Sequence, residues 1–223
     1  SGRPRGRVEA RGGGGDRVNG AVVRGGRREA AYVVCRLKAH WGVLKLGAGN
    51  TGRQDAELMR NAALNEIAVL FRLRSPGREV GEALEEAGLA WQMCGEDPVT
   101  AVAHLDFSAD KIGLLTMHAA KWLEFRLVFI VGAEEGLCPY AFPGEKLNPT
   151  RMEEEKRLFY VALTRAKDRL YLTRTEKRRP YGEIMPGLPS PLWEGLEPSL
   201  CPDLKPKTRS ARPKAPPTLF PSR

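Results

Sequence analysis

Three groups of residues have the types and spacing to do phosphate or nucleic-acid chemistry. Arg72, with Arg74 nearby, follows the apolar run "AVLF"; His118, Lys121 and Glu124 follow "GLLTM" in "HAAKWLEF". Thr164, Arg165 and Lys167 stand in "YVALTRAKDRLYL" (160–172), where helix-like apolar spacing gives way to a strand-like run. Planar guanidinium forks grip phosphate oxygens two at a time, which makes arginines at such joints candidates for a phosphate site. Each group also has an ordinary use. Arg165 and Lys167 can complement the negative end of a helix, a role worth ~0.3–1 kcal/mol. Arg72 can pair with Glu66 or Glu79, and His118 can be a satisfied polar residue at a strand end. Together, at several strand ends or joints of one sheet, the groups fit a phosphate site better, because ligands of open α/β sheets sit beyond the carboxyl ends of the strands.

The elements that must position these residues alternate between strand and helix. "GAVVRGG" (20–26) reads as a short strand, and 28–42 as a helix with Ala30, Val33, Val34 and Leu37 on one face and Gly42 as its stop. Residues 43–65 read as a loop followed by a short helix. "EIAVLF" (66–71) is a buried-type strand, Val80, Ala83, Leu84 and Ala87 form a helical face closed by Gly88, and "LAWQMC" (89–94) is a strand. "KIGLLTM" (111–117) and "RLVFIVG" (126–132) are apolar without alternation, the mark of strands covered on both faces. "MEEEKRLFYVAL" (152–163) reads as a helix with acids in its first turn, and "RLYLT" (169–173) as the last strand. This alternation predicts an α/β fold with a mostly parallel sheet flanked by helices.

Composition narrows the partners. A formal charge of +9 favours a polyanion, since lysine and arginine gain affinity by displacing counterions from phosphates. Much of the excess lies in two low-complexity ends, "SGRPRGRVEARGGGGDR" (1–17) and "DLKPKTRSARPKAPPTLFPSR" (203–223). Such segments bury too little apolar surface to order themselves, so they are expected to be disordered ends that either solubilise the chain or touch nucleic acid. The predicted organisation is a flexible segment 1–17, one domain over 18–200 and a basic Pro-rich tail over 201–223. No stretch approaches the ~20 apolar residues that span a bilayer, and a cytoplasmic, membrane-free protein is expected. The cysteines Cys35, Cys94, Cys138 and Cys201 are widely spaced with no C-x-x-C pair, which argues against a zinc site and a disulfide framework. No metal site is expected.

The longest ordered pattern carries a resemblance. "IGLLTMHAAKWLEFRLVFIVGAEEGLCPY", followed by "EEEKRLFYVALTRAKDRLYLT", resembles the fifth and sixth motifs of UvrD/Rep-type superfamily 1 DNA helicases. Upstream, "IAVLFRLRSPGREVGEALEEAGLAW" resembles the fourth motif and its following helix, and "REAAYVVCRL" the segment before it. Downstream, "PSPLWEGL" (189–196) resembles the family's closing Pro-Ser segment. The resemblance implies the second of two RecA-like domains that clamp ATP with Mg2+ between them and move 3′ to 5′ along single-stranded DNA. The implied partners are an N-terminal RecA-like motor domain and single-stranded DNA. No G-x-x-x-x-G-K-[ST] phosphate loop occurs, nor any Gly-Lys pair, so the chain alone is expected to hydrolyse no ATP.

By the same resemblance, Arg72 and Arg165 are expected to reach the γ-phosphate as arginine fingers, with Glu124 near the nucleotide. Thr116, His118 and Lys121 are expected to link that site to the DNA track. Tyr140 stands where relatives often carry a DNA-contacting histidine; it either stacks on a base or packs on Phe142. Two departures stand out. Only residues 94–110 join the fourth and fifth motifs, where relatives usually insert an accessory domain, and Trp122 replaces the glycine of "AKGLEF". If that position needs positive φ, a Trp there costs ~1–3 kcal/mol. The motor portion of a helicase-nuclease and a non-catalytic DNA- or partner-binding remnant remain the alternatives.

Overall fold

The computed structural model describes residues 18–40, 62–95, 97, 100–142, 144–179 and 184–195, with the side chains of 39, 40, 194 and 195 excepted. The expected flexible ends, the helix stop at Gly42 and most of the 43–65 segment lie outside the described residues.

The described elements are β1 (Asn19–Val23), α1 (Gly26–His40), β2 (Ile67–Phe71), α2 (Arg74–Glu86), β3 (Trp91–Met93), β4 (Ile112–Thr116), β5 (Phe125–Val131), α3 (Pro149–Leu163), β6 (Ala166–Thr175), β7 (Lys177–Arg178) and β8 (Met185–Pro186). The first six strands form one sheet in the order β1-β6-β5-β2-β4-β3, every pairing parallel. β7 and β8 make a separate antiparallel pair. The fold is α/β, as the alternation predicts.

Alternation within each central strand divides the core. Ile67, Val69 and Phe71 of β2 join Leu127, Phe129 and Val131 of β5 under α1 and α2, which contribute Ala30, Val33, Leu37, Val80 and Leu84. Ala68 and Leu70, with Val128 and Ile130, face the other way, onto Phe159 and Ala162 of α3 and onto Ala120. Every residue of β2 is buried, which is why its sequence shows no polar alternation. α2 closes as expected: Gly88 takes φ 71° and donates to the Glu85 carbonyl, while the Leu89 N–H reaches back to Leu84.

α3 begins earlier than its apolar spacing suggests. Asn148 caps it by accepting from the Arg151 N–H at 2.8 Å, and Pro149 occupies the first turn, where no N–H partner is needed. This corrects the expectation of an acidic first turn. Glu153, Glu154 and Glu155 lie in the second turn, and Glu155 points into the protein, 8% exposed, where its carboxylate has a partner instead of a dipole to complement.

Candidate nucleotide and nucleic-acid site

The parallel register sets the geometry of the predicted residues. Phe71 pairs with Val131 at the carboxyl end of the sheet, while Phe125 pairs with Ala166 at its amino end. Arg72 follows Phe71 and Arg165 precedes Ala166, so the two arginines are separated by the length of β5. At ~3.3 Å per residue that is about 20 Å. The register thus places the backbone of Arg72 and that of Arg165 at opposite ends of the sheet, each in its own cluster.

At the carboxyl end, Arg72 meets Glu155 of α3. Its Nε donates to both carboxylate oxygens at 3.1 Å and its Nη2 to Oε1 at 2.7 Å. Neither surface partner suggested by the sequence, Glu66 or Glu79, is used: Glu66 lies 3.5 Å from Arg126 and Glu79 4.0 Å from Arg178. Glu155 Oε2 also accepts the Tyr140 N–H at 3.1 Å, and the Arg72 guanidinium lies 5.4 Å from the centre of the Tyr140 ring. Tyr140 packs edge-on against Phe142 at 5.3 Å. His118 follows β4 at the surface beside this pair. Partial burial first, then the charge of Arg72, hold its pKa below the usual histidine value, with Glu155 opposing and Lys121 adding to the depression. Thr116 ends β4 and accepts the Ala119 N–H at 3.1 Å, which starts the turn that carries Lys121 and Trp122. Beneath the cluster, burial pushes the Cys138 thiol pKa far up.

At the amino end, Arg165 holds the crossover between β4 and β5. Its Nε donates to the Val161 carbonyl at 3.0 Å, its Nη1 to the carbonyls of Lys121 and Leu123 at 3.2 Å, and its Nη2 to Thr164 Oγ1 at 3.2 Å. Thr164 in turn donates to Val161 at 2.9 Å. Glu124 pairs with Lys167 at 3.4 Å, both side chains exposed. Trp122 projects outward, 86% exposed, with the Lys121 Nζ 5.5 Å from its ring centre. No described residue other than glycine has a positive φ, so the strain expected for a tryptophan replacing glycine does not arise.

A third cluster escaped the sequence reading. Glu29, Glu134 and Arg178, each about 5% exposed or less, form a buried charge group with Thr173 and Thr175. Glu29 accepts from the Gly132 N–H at 3.0 Å and Thr173 Oγ1 at 2.7 Å, and Glu134 from the N–H and Oγ1 of Thr175 at 2.6 and 2.8 Å. Burial opposes the Arg178 charge, but Glu29 and Glu134 more than offset it and raise the pKa. The available signal was "YLTRT", whose threonines recur at alternate positions of a strand that is otherwise apolar inside. Among the described residues, no three His, Cys, Asp or Glu side chains gather to hold a metal ion. No described helix is long and apolar enough to cross a membrane.

Comparison with known proteins matches residues 101–177 to the UvrD-like helicase C-terminal domain, the stretch that holds His118, Lys121, Glu124, Tyr140 and Arg165. Over residues 101–177 the chain carries the pattern of a UvrD-like helicase C-terminal domain. It is 46% identical over 81 residues to the ATP-dependent DNA helicase Rep of Buchnera aphidicola, covering 36% of this chain and 12% of that protein. It is 37% identical over 122 residues to the ATP-dependent DNA helicase PcrA of Staphylococcus aureus, covering 53% of this chain and 17% of that protein. The match to PcrA of Staphylococcus epidermidis is 42% over 94 residues, 41% of this chain and 13% of the relative. The chain thus spans less than a fifth of the length of these relatives. The UvrD-like domain also shares its fold with the crystal structure of the C-terminal domain of a possible DNA helicase from Lactobacillus plantarum, at TM-score 0.52 and 19% identity over 84% of each chain.

Proposed function

We propose that this domain is the C-terminal motor half of an ATP-dependent 3′–5′ DNA helicase or translocase, completed by an N-terminal RecA-like motor domain that brings the phosphate loop and the magnesium carboxylates. Arg165 is the arginine finger and Glu124 its neighbour at the nucleotide. Thr116, His118, Lys121 and Tyr140 belong to the single-stranded DNA track. Arg72, expected from the family pattern to be a second finger, is assigned in this reading to positioning Tyr140.

The observation that carries the reading is the bonding state of the two arginines. Every hydrogen bond of the Arg165 side chain ends on a neutral oxygen, three backbone carbonyls and one hydroxyl. Hydrogen bonds to a charged phosphate are roughly twice as strong, so closure of a cleft onto ATP would draw the guanidinium from these carbonyls at little cost. Arg72 is in the opposite situation. Removing it from Glu155 leaves a nearly buried carboxylate uncompensated, a loss of ~3–5 kcal/mol that a phosphate must first offset.

The test joins this chain to the N-terminal motor domain of a PcrA relative and measures DNA-stimulated ATPase. Arg165→Ala and Arg165→Lys should each lower turnover by at least ~10²-fold, because lysine lacks the planar fork, while Lys167→Ala changes it far less. The chain alone should show no turnover. If Arg165→Ala lowers the melting temperature sharply and leaves turnover per folded molecule normal, Arg165 is only a helix cap. A second reading, a DNA- or partner-binding module without turnover, is favoured by one feature, Trp122 in place of the family's glycine; normal turnover in the fusion excludes it.

A further inference from the structure

Trp122 is the most exposed large apolar side chain among the described residues, at 86%, and the fold makes no use of it. Of the turn Ala119–Trp122, only Ala120 is buried. While Arg165 stays on the backbone carbonyls, the turn is nevertheless held in place. Arg165 Nη1 donates to the carbonyls of Lys121 and Leu123, the residues on either side of Trp122, and the Leu123 N–H closes onto Ala120 at 3.0 Å. The indole therefore stands on a pinned backbone, with only its own χ angles left to order. The Lys121 ammonium sits over the ring, 5.5 Å from its centre, and the indole is still 86% exposed. An aromatic on a held backbone with a cation beside it matches a ligand that offers a flat ring and an anion at adjacent positions.

We propose that Trp122 and Lys121 form a nucleobase-stacking site, the base lying on the open face of the indole and its phosphate against the Lys121 ammonium. This rests on the reading of the surrounding surface as one that meets nucleotide or single-stranded DNA. Glu124 and Arg165 adjoin it on one side, and the Lys121 charge is felt by His118 on the other. Charge complementarity favours a nucleobase with its phosphate over an uncharged apolar partner. The base comes either from a single strand or from a free nucleotide, and both present the same chemistry.

The two sources separate in a titration of the intact chain, followed by tryptophan fluorescence, with oligo(dT) and with ADP as probes. The chain has four tryptophans, so Trp122→Ala and Trp122→Phe identify the responding one. At least one probe should quench the wild-type emission. In Trp122→Ala that quenching should vanish and the dissociation constant for the same probe should rise by about 5-fold or more, whereas Trp122→Phe should bind within about 2-fold of wild type. A response to oligo(dT) assigns the base to the strand, and a response to ADP assigns it to the nucleotide. Labelled oligo(dT) bound equally by wild type and Trp122→Ala, with no quenching by either probe, overturns the stacking site and leaves the strand-binding reading intact. No binding of oligo(dT) at low salt and no response to ADP overturns both. A dimer that dissociates on Trp122→Ala, without quenching by either probe, assigns the indole to a second copy of the chain and also overturns the site.

Discussion

The donor contacts of Arg165 and those of Arg72 show how acceptor charge decides what a cation can do. Arg165 rests on neutral oxygens and is free to exchange them; Arg72 is committed to Glu155. His118 follows the same logic with its own sign. Its folded pKa lies below the unfolded value, chiefly through partial burial and then through Arg72. The unfolded chain therefore binds the proton more readily, so this contribution to stability is fully present above the ordinary histidine pKa of about 6.5 and is lost as the pH falls through the lower folded value. His118→Gln should flatten the pH dependence of the urea midpoint in that window. An unchanged dependence would show that the imidazole is solvated like a free one.

At the scale of elements, close approach sets what a position tolerates. α2 lies on β2 so tightly that a Cβ at Gly77 would overlap the Phe71 ring. Both groups are buried, and Phe71 packs in one core cluster with Val69, Val80 and Leu84. Gly77→Ala should cost ~1–3 kcal/mol by overpacking, despite alanine's better helix propensity of up to ~1 kcal/mol. Equilibrium urea unfolding reads this directly, and a stabilised variant would show that α2 can slide on the sheet. The same close packing makes α3 a lever. Its second turn holds Arg72 through Glu155 at the carboxyl end of the strands, and Arg165, just past its last residue Leu163, holds the crossover at their amino end.

Across the whole molecule, the buried charge group joins elements that the sheet alone does not. Glu29 comes from α1, Glu134 from the segment after β5, the threonines from β6 and Arg178 from β7. Two carboxylates around one guanidinium hold only while the cation stays. Arg178→Ala should therefore cost ~3–5 kcal/mol in urea unfolding. A loss under ~1 kcal/mol would mean that water enters and solvates the pair. This group escaped the sequence reading because Glu29, Glu134 and Arg178 are each ordinary surface residue types, and only the fold brings partners 44 and 149 positions apart into contact.

What the sequence determined by itself is what depends on local pattern: the strand runs buried on both faces, the amphipathic faces of α1 and α2, the glycine stop at Gly88 and the ordered motifs that identify the UvrD-like domain. It also singled out Arg72, His118, Lys121, Glu124, Tyr140 and Arg165. What it lacked was the strand register, which places Arg72 and Arg165 at opposite ends of the sheet, each among its own partners. Tertiary structure alone also decided which carboxylate meets Arg72, which carbonyls hold Arg165 and that Trp122 faces solvent. The physical reason is common to all three. Periodicity reports which face of an element is apolar, but the partner of a polar group is chosen by elements distant in sequence that packing alone makes neighbours.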